Sequence, residues 1–151
     1  MNAKDKVSKI VEHHNLMHLA TVDSEGMPKC RGVDFVANDT GSNIYFLTRK
    51  DSNKIKEIRG NKNVFVVIDH DCPTAEDLGA LKYIKASGTA SIIQDPEEAQ
   101  KAFGMLMKKF PFMKDLPGEP SDFVAVKVIL DKVDLTDNTV GFGHTETVQL
   151  D

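Results

Sequence analysis

The stretch that decides the fold runs from residue 44 to residue 68 and reads IYFLTRKDSNKIKEIRGNKNVFVVI. Its apolar start, 44–48, is typical of a β-strand, and residues 51–59 repeat isoleucine at helical spacing before a glycine that ends the helix. The continuous apolar run 64–68 predicts a second strand. Because a strand without polar alternation is usually covered on both faces, we expect a barrel interior on one side and a helix or a second subunit on the other.

Similar patterns continue outward in both directions. In chain order they predict a helix over 4–15, strands over 16–23, 28–38 and 82–93, a helix over 95–109, and strands over 123–130 and 139–150. Gly88 interrupts one of these strands, where we expect a bend or a close approach of two backbones. Short strands separated by turns and helices favour a small barrel over a parallel doubly wound sheet. We therefore predict one mainly β domain over residues 1–151, a six- to seven-stranded antiparallel barrel with helices.

The composition is that of an ordinary globular chain with an acidic balance. The chain has 151 residues, 40% of them hydrophobic, and a formal net charge of -4. Most nucleic-acid and anionic-membrane binders have the opposite charge balance. No apolar run approaches the roughly 20 residues of a membrane span, and the polar first residues do not resemble a signal peptide. We expect a cytoplasmic protein without nucleic-acid or membrane partners, in which Cys30 and Cys72 are reduced thiols.

The segment from Thr48 to Lys54 is the richest in binding groups, because a strand ends there and a helix begins. It combines three basic side chains, two hydroxyl groups and the free N–H groups of a helix start. A phosphate at this position would gain contacts from all three kinds of group, so the segment favours phosphate capture. The alternative is that Asp51 or Ser52 only caps the helix and that the lysines are solvated.

Arg31 is a second unusual cation, since it lies in the middle of a predicted strand among apolar residues. A cation in such a position usually needs an anionic partner. That partner is either an anionic ligand or a carboxylate of the protein, such as Asp34 or Asp69.

These short motifs, in this order and spacing, resemble the pyridoxamine 5'-phosphate oxidase-like FMN-binding split-barrel family. The residues that carry the resemblance are Arg31-Gly32-Val33, Leu47-Thr48, Ser52-Asn53-Lys54 and the apolar strand Val64-Phe65-Val66-Val67. The resemblance implies a split barrel that binds FMN through Arg31, Gly32, Val33, Leu47, Thr48, Ser52, Asn53 and Lys54. It places the phosphate on Arg31, Ser52 and Lys54, and the edge of the flavin ring on the backbone near Gly32 and Val33.

The resemblance also implies a homodimer with FMN at the subunit interface. The second subunit of family members contributes a polar residue from the strand that holds Gly88 here, and the matching positions are Tyr83 and its neighbour Lys85. Pyridoxamine 5'-phosphate oxidase itself carries a C-terminal Arg-x-His element, whereas this chain offers His144 and no arginine after Arg59. We therefore do not expect that activity, and the chain is more similar to the short general-stress-protein branch.

The remaining chemistry-bearing residues do not suggest a catalytic group or a metal site. His13, His14 and His18 are interpreted as solvated or core histidines, and His70-Asp71-Cys72 as a polar loop. No spacing indicates a nucleophile with its base, so no general acid or base is assigned.

Three functions follow from these observations. The first is an FMN-dependent oxidoreductase acting on a small-molecule substrate, with a possible nicotinamide donor. The second is a stress-response protein that holds flavin, deazaflavin or haem without turnover. The third is an interaction domain without a cofactor, which predicts a carboxylate partner for Arg31 and no phosphate-sized pocket at Ser52.

Overall fold

The computed structural model describes residues 1–150. Its α-helices are α1 (Ala3–His13), α2 (Asn53–Gly60), α3 (Ala75–Gly79) and α4 (Pro96–Lys109). Its strands are β1 (Leu16–Val22), β2 (Pro28–Asp34), β3 (Val36–Ala37), β4 (Asn43–Arg49), β5 (Asn63–Ile68), β6 (Lys82–Ile92), β7 (Phe123–Leu130), β8 (Lys132–Asp137) and β9 (Thr145–Gln149). Short 3-10 turns, Pro111–Asp115 and Pro120–Asp122, connect α4 to β7.

Local capping chemistry sets where the longer helices begin. The side chain of Asn2 accepts a hydrogen bond from the Asp5 N–H at the start of α1, and Asp95 does the same for Glu98 at the start of α4. Their apolar faces then close over the barrel. The buried residues of these faces are Val7, Ile10 and Val11 on α1, and Ala102 and Leu106 on α4.

All strand pairs are antiparallel, in the order β2-β1-β5-β6-β7-β4-β3, and β6 also pairs with β8, which pairs with β9. Only Phe35 separates β2 from β3, although these strands lie at opposite ends of the order. The chain therefore passes directly from one edge of the sheet to the other, which curls the sheet into a barrel. β2 and β4 approach each other without forming a ladder, and this gap splits the barrel.

The predicted class, an antiparallel split barrel with helices, is confirmed, while the number of strands is larger than expected. The predicted strand 28–38 is broken at the fully buried Phe35. The strand predicted over 139–150 is present as the shorter β9, and β8 is an additional strand before it. The short α3 was not predicted. A Cβ atom on Gly88 would lie 2.7 Å from Cγ1 of Val128 and 3.3 Å from the carbonyl oxygen of Ile129, so β7 approaches this glycine closely, mainly through its side chains.

Strand β5 is covered by the chain on one face only. Val64, Val66 and Ile68 are buried in the core, whereas Phe65, on the outer face, keeps 41% of its surface exposed. The second cover expected for this apolar run is therefore not supplied by α1 to α4, and a second subunit in that place stays a prediction. None of the helices within residues 1–150 is long and apolar enough to cross a membrane.

Candidate functional site

The candidate site lies at the N-terminus of α2. Thr48, near the end of β4, donates a hydrogen bond from Oγ1 to Oγ of Ser52 at 3.1 Å. Ser52 occupies the N-cap position, yet no side chain makes a capping hydrogen bond there. Asp51 instead pairs with Nε of Arg49 at 3.3 Å. The N–H groups of the first helical turn thus lack the side-chain partner that the capping alternative required.

Arg31 enters the same region from β2 and has a carboxylate partner. Its guanidinium donates to Oε1 of Glu57 at 2.7 Å and to Oγ1 of Thr21 at 2.7 Å. Thr21 in turn donates to the same Glu57 oxygen at 2.7 Å. The three side chains form a closed triangle that is largely buried, with 23% of the Arg31 side chain and 11% of the Glu57 side chain exposed.

The carboxylates suggested for Arg31 from the sequence were therefore wrong. Asp69 pairs instead with Nε2 of His18 at 3.3 Å. Asp34 is three residues further along β2, and strand alternation turns it to the other face of the sheet. Because α2 packs against β1, its Glu57 lies over the inward side of the β1–β2 pair, which Arg31 also faces.

Lys54 is a partly buried cation of this site that lacks a counterion. Burial lowers its pKa first, the nearby Arg31 lowers it further, and Glu57 offsets part of the effect. Within residues 1–150 its ammonium group has neither an ion pair nor a hydrogen bond. Glu57 is committed elsewhere, since hydrogen bonds from Thr21 and then Arg31 lower its pKa against the opposing effect of burial. The cluster of Arg31, Lys54 and Glu57 therefore keeps one net positive charge.

The other predicted contact residues surround the gap between β2 and β4. Gly32 lies on the outer face of β2 opposite His18, and Val33 is buried in the core. Leu47 is half-buried on β4, and the exposed Asn53 is the first residue of α2. Since β2 pairs only with β1, its other edge offers unpaired backbone groups toward this gap.

Tyr83 and Lys85 are not brought to the α2 site within one chain. They lie on β6 opposite Thr136 and Asp134 of β8. Lys85 lines a separate cavity of about 390 Å³ on the outer face of the sheet, next to Phe65. In residues 1–150 neither side chain makes a hydrogen bond or ion pair with α2.

Sequence reasoning missed Thr21 and Glu57. Both read as ordinary polar residues, yet Glu57 is spaced three residues after Lys54, which places the two on one helical face. Thr21 alternates in step with the buried Met17 and Leu19, which indicates an inward side chain. Elsewhere in the described chain, Cys30 and Cys72 are free thiols and no cluster of three or more metal-ligating residues occurs.

Comparisons with known proteins agree with this architecture. A model of the pyridoxamine 5'-phosphate oxidase family matches residues 3–137. General stress protein 26 of Bacillus subtilis is 31% identical over 125 residues, which cover 79% of this chain and 84% of that protein.

Two solved structures illustrate the range of proteins that share the fold. HutZ, the haem storage protein from Vibrio cholerae, aligns with a TM-score of 0.73 at 20% identity, over 91% of this chain and 95% of its own. An FAD-binding protein from Mesorhizobium loti aligns with a TM-score of 0.68 at 18% identity, over 89% and 94% of the two chains.

Proposed function

Because the chain belongs to the pyridoxamine 5'-phosphate oxidase-like split-barrel family, we propose that it binds FMN at the gap between β2 and β4. The observation that carries this proposal is Lys54, a half-buried ammonium without a counterion at the uncapped start of α2. A phosphate there would supply the missing negative charge and accept hydrogen bonds from the helix N–H groups. Family membership indicates which phosphate ester to test first.

Each side chain of the site has a distinct part in this proposal. Lys54 and the Ser52 hydroxyl contact the phosphate directly, and Thr48 orients that hydroxyl through its 3.1 Å hydrogen bond. Arg31 is hydrogen-bonded to Glu57 and contributes its positive charge and its remaining N–H groups to the phosphate site. The free edge of β2 at Gly32 and Val33 offers backbone groups to the flavin ring.

The proposed functional unit is a homodimer in which a second subunit closes the flavin site. Ala20 and Phe65 lie opposite each other on the outer face of β1 and β5, and the apolar surface around them has no cover within the chain. One net positive charge in the Arg31, Lys54 and Glu57 cluster is little for a phosphate dianion. Tyr83 and Lys85 of a partner copy are the polar groups that the family resemblance nominates to complete it.

We propose that the dimer acts as an oxidoreductase on a small molecule. Bound flavin would supply the redox chemistry, while this chain binds it, orients it and sets the charge around it. No side chain of the site is assigned as a general acid or base. Bleaching of the flavin by NADH or NADPH would support turnover with a nicotinamide donor, whereas a flavin that stays oxidised with both would favour a carrier.

Titration of the purified protein with FMN tests the proposal. We expect saturable binding, visible as quenched flavin fluorescence, that weakens about 10- to 100-fold in Lys54→Ala and by a smaller factor in Ser52→Ala. Lys56→Ala is the matched control, because Lys56 is exposed on the same helix. A protein that ignores added FMN, or an equal loss in both lysine variants, would overturn the assignment.

Haem is the second candidate ligand, and the Arg31–Glu57 pair is the observation that favours it. With Arg31 already neutralised at 2.7 Å, the site suits the single charge of a carboxylate at least as well as a phosphate dianion. HutZ, which has the same fold, is described as a haem storage protein. A haem titration followed by its visible absorption band separates the candidates, since tight haem binding without FMN binding would favour the storage function.

A further inference from the structure

A second group of basic side chains lies where α1 meets the loop after β5 and the start of β6. It surrounds a cavity of about 250 Å³, and its basic members are Lys6, Lys9, His13, His14, His70 and Lys82. No member belongs to the site at α2. In a chain with a formal net charge of -4, six basic groups around one cavity require an explanation.

Backbone hydrogen bonds fix which nitrogens of His14 and His70 carry hydrogen. Nδ1 of His14 lies 2.6 Å from the carbonyl oxygen of Ile10, and a carbonyl can only accept, so this nitrogen carries its hydrogen. Nε2 of a neutral His14 must then accept from Nδ1 of His70, 3.0 Å away. The outer nitrogen of His70, Nε2, is left with a lone pair.

One added proton changes what this pair can do. Whether it rests on His14 or on His70, the hydrogen bond between the rings is kept and Nε2 of His70 becomes an N–H donor. His13 is arranged in the same way, since its Nδ1 donates to the Lys9 carbonyl at 2.8 Å and its Nε2 is bare. Imidazole is the side chain that changes charge between pH 5 and 8. Further positive charge beside lysines is unfavourable unless an anion enters.

The charged neighbours of the pair leave room for such an anion. Lys6 is taken by the carboxylate of Asp137 at 2.7 Å, and Lys109 of α4 donates to the His14 carbonyl at 2.6 Å. The remaining groups around the pair are Lys9 and His13 on α1, Lys82 on β6, and Asp69 and Asp71 beside His70, of which Asp69 pairs with His18.

We propose that this cavity binds a small oxyanion, a phosphate or carboxylate group, between Lys9, Lys82 and Nε2 of His70. Binding takes up one proton on the His14–His70 pair, so the anion is held more tightly in mild acid than in mild base. A metal ion is disfavoured, because three lysines line the cavity and no group of three or more side chains in the described chain is arranged to hold a metal ion.

Sulfate is the probe for this site, since it remains a dianion at both pH values used. We expect the amide NMR signals of Ile10, His70 and Leu81 to shift saturably with sulfate at constant ionic strength. The affinity should be about fivefold higher at pH 5.5 than at pH 8.0. Shifts around Ser52 would report the α2 site separately, so failure of one site leaves the other testable.

Three variants decide whether the cavity is responsible. Lys82→Gln should weaken sulfate about threefold at both pH values, and His70→Gln should reduce the pH dependence to the part that His13 and His14 supply. Lys101→Gln, an exposed lysine of α4, should change neither. Linear, unsaturated shifts, or equal affinity in Lys82→Gln and the parent, would mean an adventitious ion only and overturn the proposal. Tighter binding of Zn²⁺ than of sulfate, with His70 affected first, would overturn it in favour of a metal site.

Discussion

Two largely buried carboxylates of this barrel each bind one cation, but the net charge around the two ion pairs differs. Asp137, with 3% of its side chain exposed, binds Lys6 at 2.7 Å and accepts further hydrogen bonds from Thr139. Glu57, with 11% exposed, binds Arg31 at 2.7 Å and accepts from Thr21. Asp137 joins the end of β8 to α1, far along the chain, whereas Glu57 joins α2 to the β1–β2 pair.

The difference lies in what stands beside each pair. Lys6 and Asp137 balance each other, so their cluster is complete as it stands. Beside Arg31 and Glu57, here called the open pair, lies a second cation, Lys54, whose pKa is lowered by burial and by Arg31. A balanced pair is typical of a structural contact, while surplus charge in a partly buried place is typical of a binding site.

The largest effect is expected when the balanced pair is broken. Lys6→Met leaves the Asp137 carboxylate buried without its cation and should lower the free energy of unfolding by about 3 kcal/mol. Chemical denaturation at pH 7 measures this. Lys127→Met is the control, because its pair with Glu98 is more exposed, at 23% and 35%, and should lose about 1 kcal/mol or less. Equal losses in the two variants would contradict a structural role specific to Asp137.

Acid should also lower the free energy of unfolding through the Lys6–Asp137 pair, by somewhat less than Lys6→Met does. Burial alone would raise the pKa of Asp137, but hydrogen bonds from Lys6 and Thr139 lower it to about 2. A carboxyl group whose pKa is lower in the folded than in the unfolded state stabilises the fold at pH values above its unfolded-state pKa. This stabilisation is lost as the pH falls through its folded-state pKa. About 2 kcal/mol should therefore disappear between pH 4 and pH 2.

Asp137→Asn isolates this contribution from the other acidic groups. The stability difference between the parent and Asp137→Asn should be largest near pH 6 and shrink toward pH 2. A difference that stays constant over this range would contradict the assigned direction of the pKa.

Which features can be predicted from the sequence depends on the distance along the chain between the interacting groups. The strands around residues 44–68, the helix start at Asp95 and the close approach at Gly88 are local or periodic features, and the sequence shows them directly. The partner of Arg31 is 26 residues away on another element, and His14 meets His70 across 56 residues. Such contacts depend on how α1 and α2 pack on the barrel, which no local pattern shows.

Strand β8 is a different kind of omission. Val133 and Leu135 alternate with polar residues, and both are buried, so a period of two was present in the sequence. The strand was missed because it follows β7 after one residue, Asp131, without the usual turn formers. The alternation of β8 was visible in the sequence, but the point where β7 ends and β8 begins was not.

A charge change at the open pair should alter ligand affinity more than stability. Glu57→Gln keeps an oxygen for Arg31 and Thr21 but removes the negative charge beside Lys54. We expect FMN to bind about 3- to 10-fold more tightly, because Glu57 no longer competes with the phosphate for Arg31. Glu98→Gln, remote from α2, should leave FMN affinity unchanged. Weaker binding in Glu57→Gln would instead mean that the carboxylate positions Arg31 for the ligand.

The smallest effect is expected at Thr21, which links the two partners of the open pair. Its hydroxyl donates to Glu57 and accepts from Arg31, both at 2.7 Å, and the residue is 1% exposed. Thr21→Val keeps the shape and removes both hydrogen bonds, which should cost about 1 kcal/mol of stability. The hydrogen bond that contributes most to the lowered Glu57 pKa is then gone, so that pKa should rise toward its ordinary value.

Carboxyl NMR of Glu57 during an acid titration measures this rise directly. The same variant should change FMN affinity less than Glu57→Gln, since the carboxylate stays charged at pH 7 and still holds Arg31 at its other contact. If Thr21→Val and Glu57→Gln altered affinity equally, the geometry of the triangle rather than its charge would control the site. The surplus charge of Lys54 would then no longer distinguish the open pair from the balanced one.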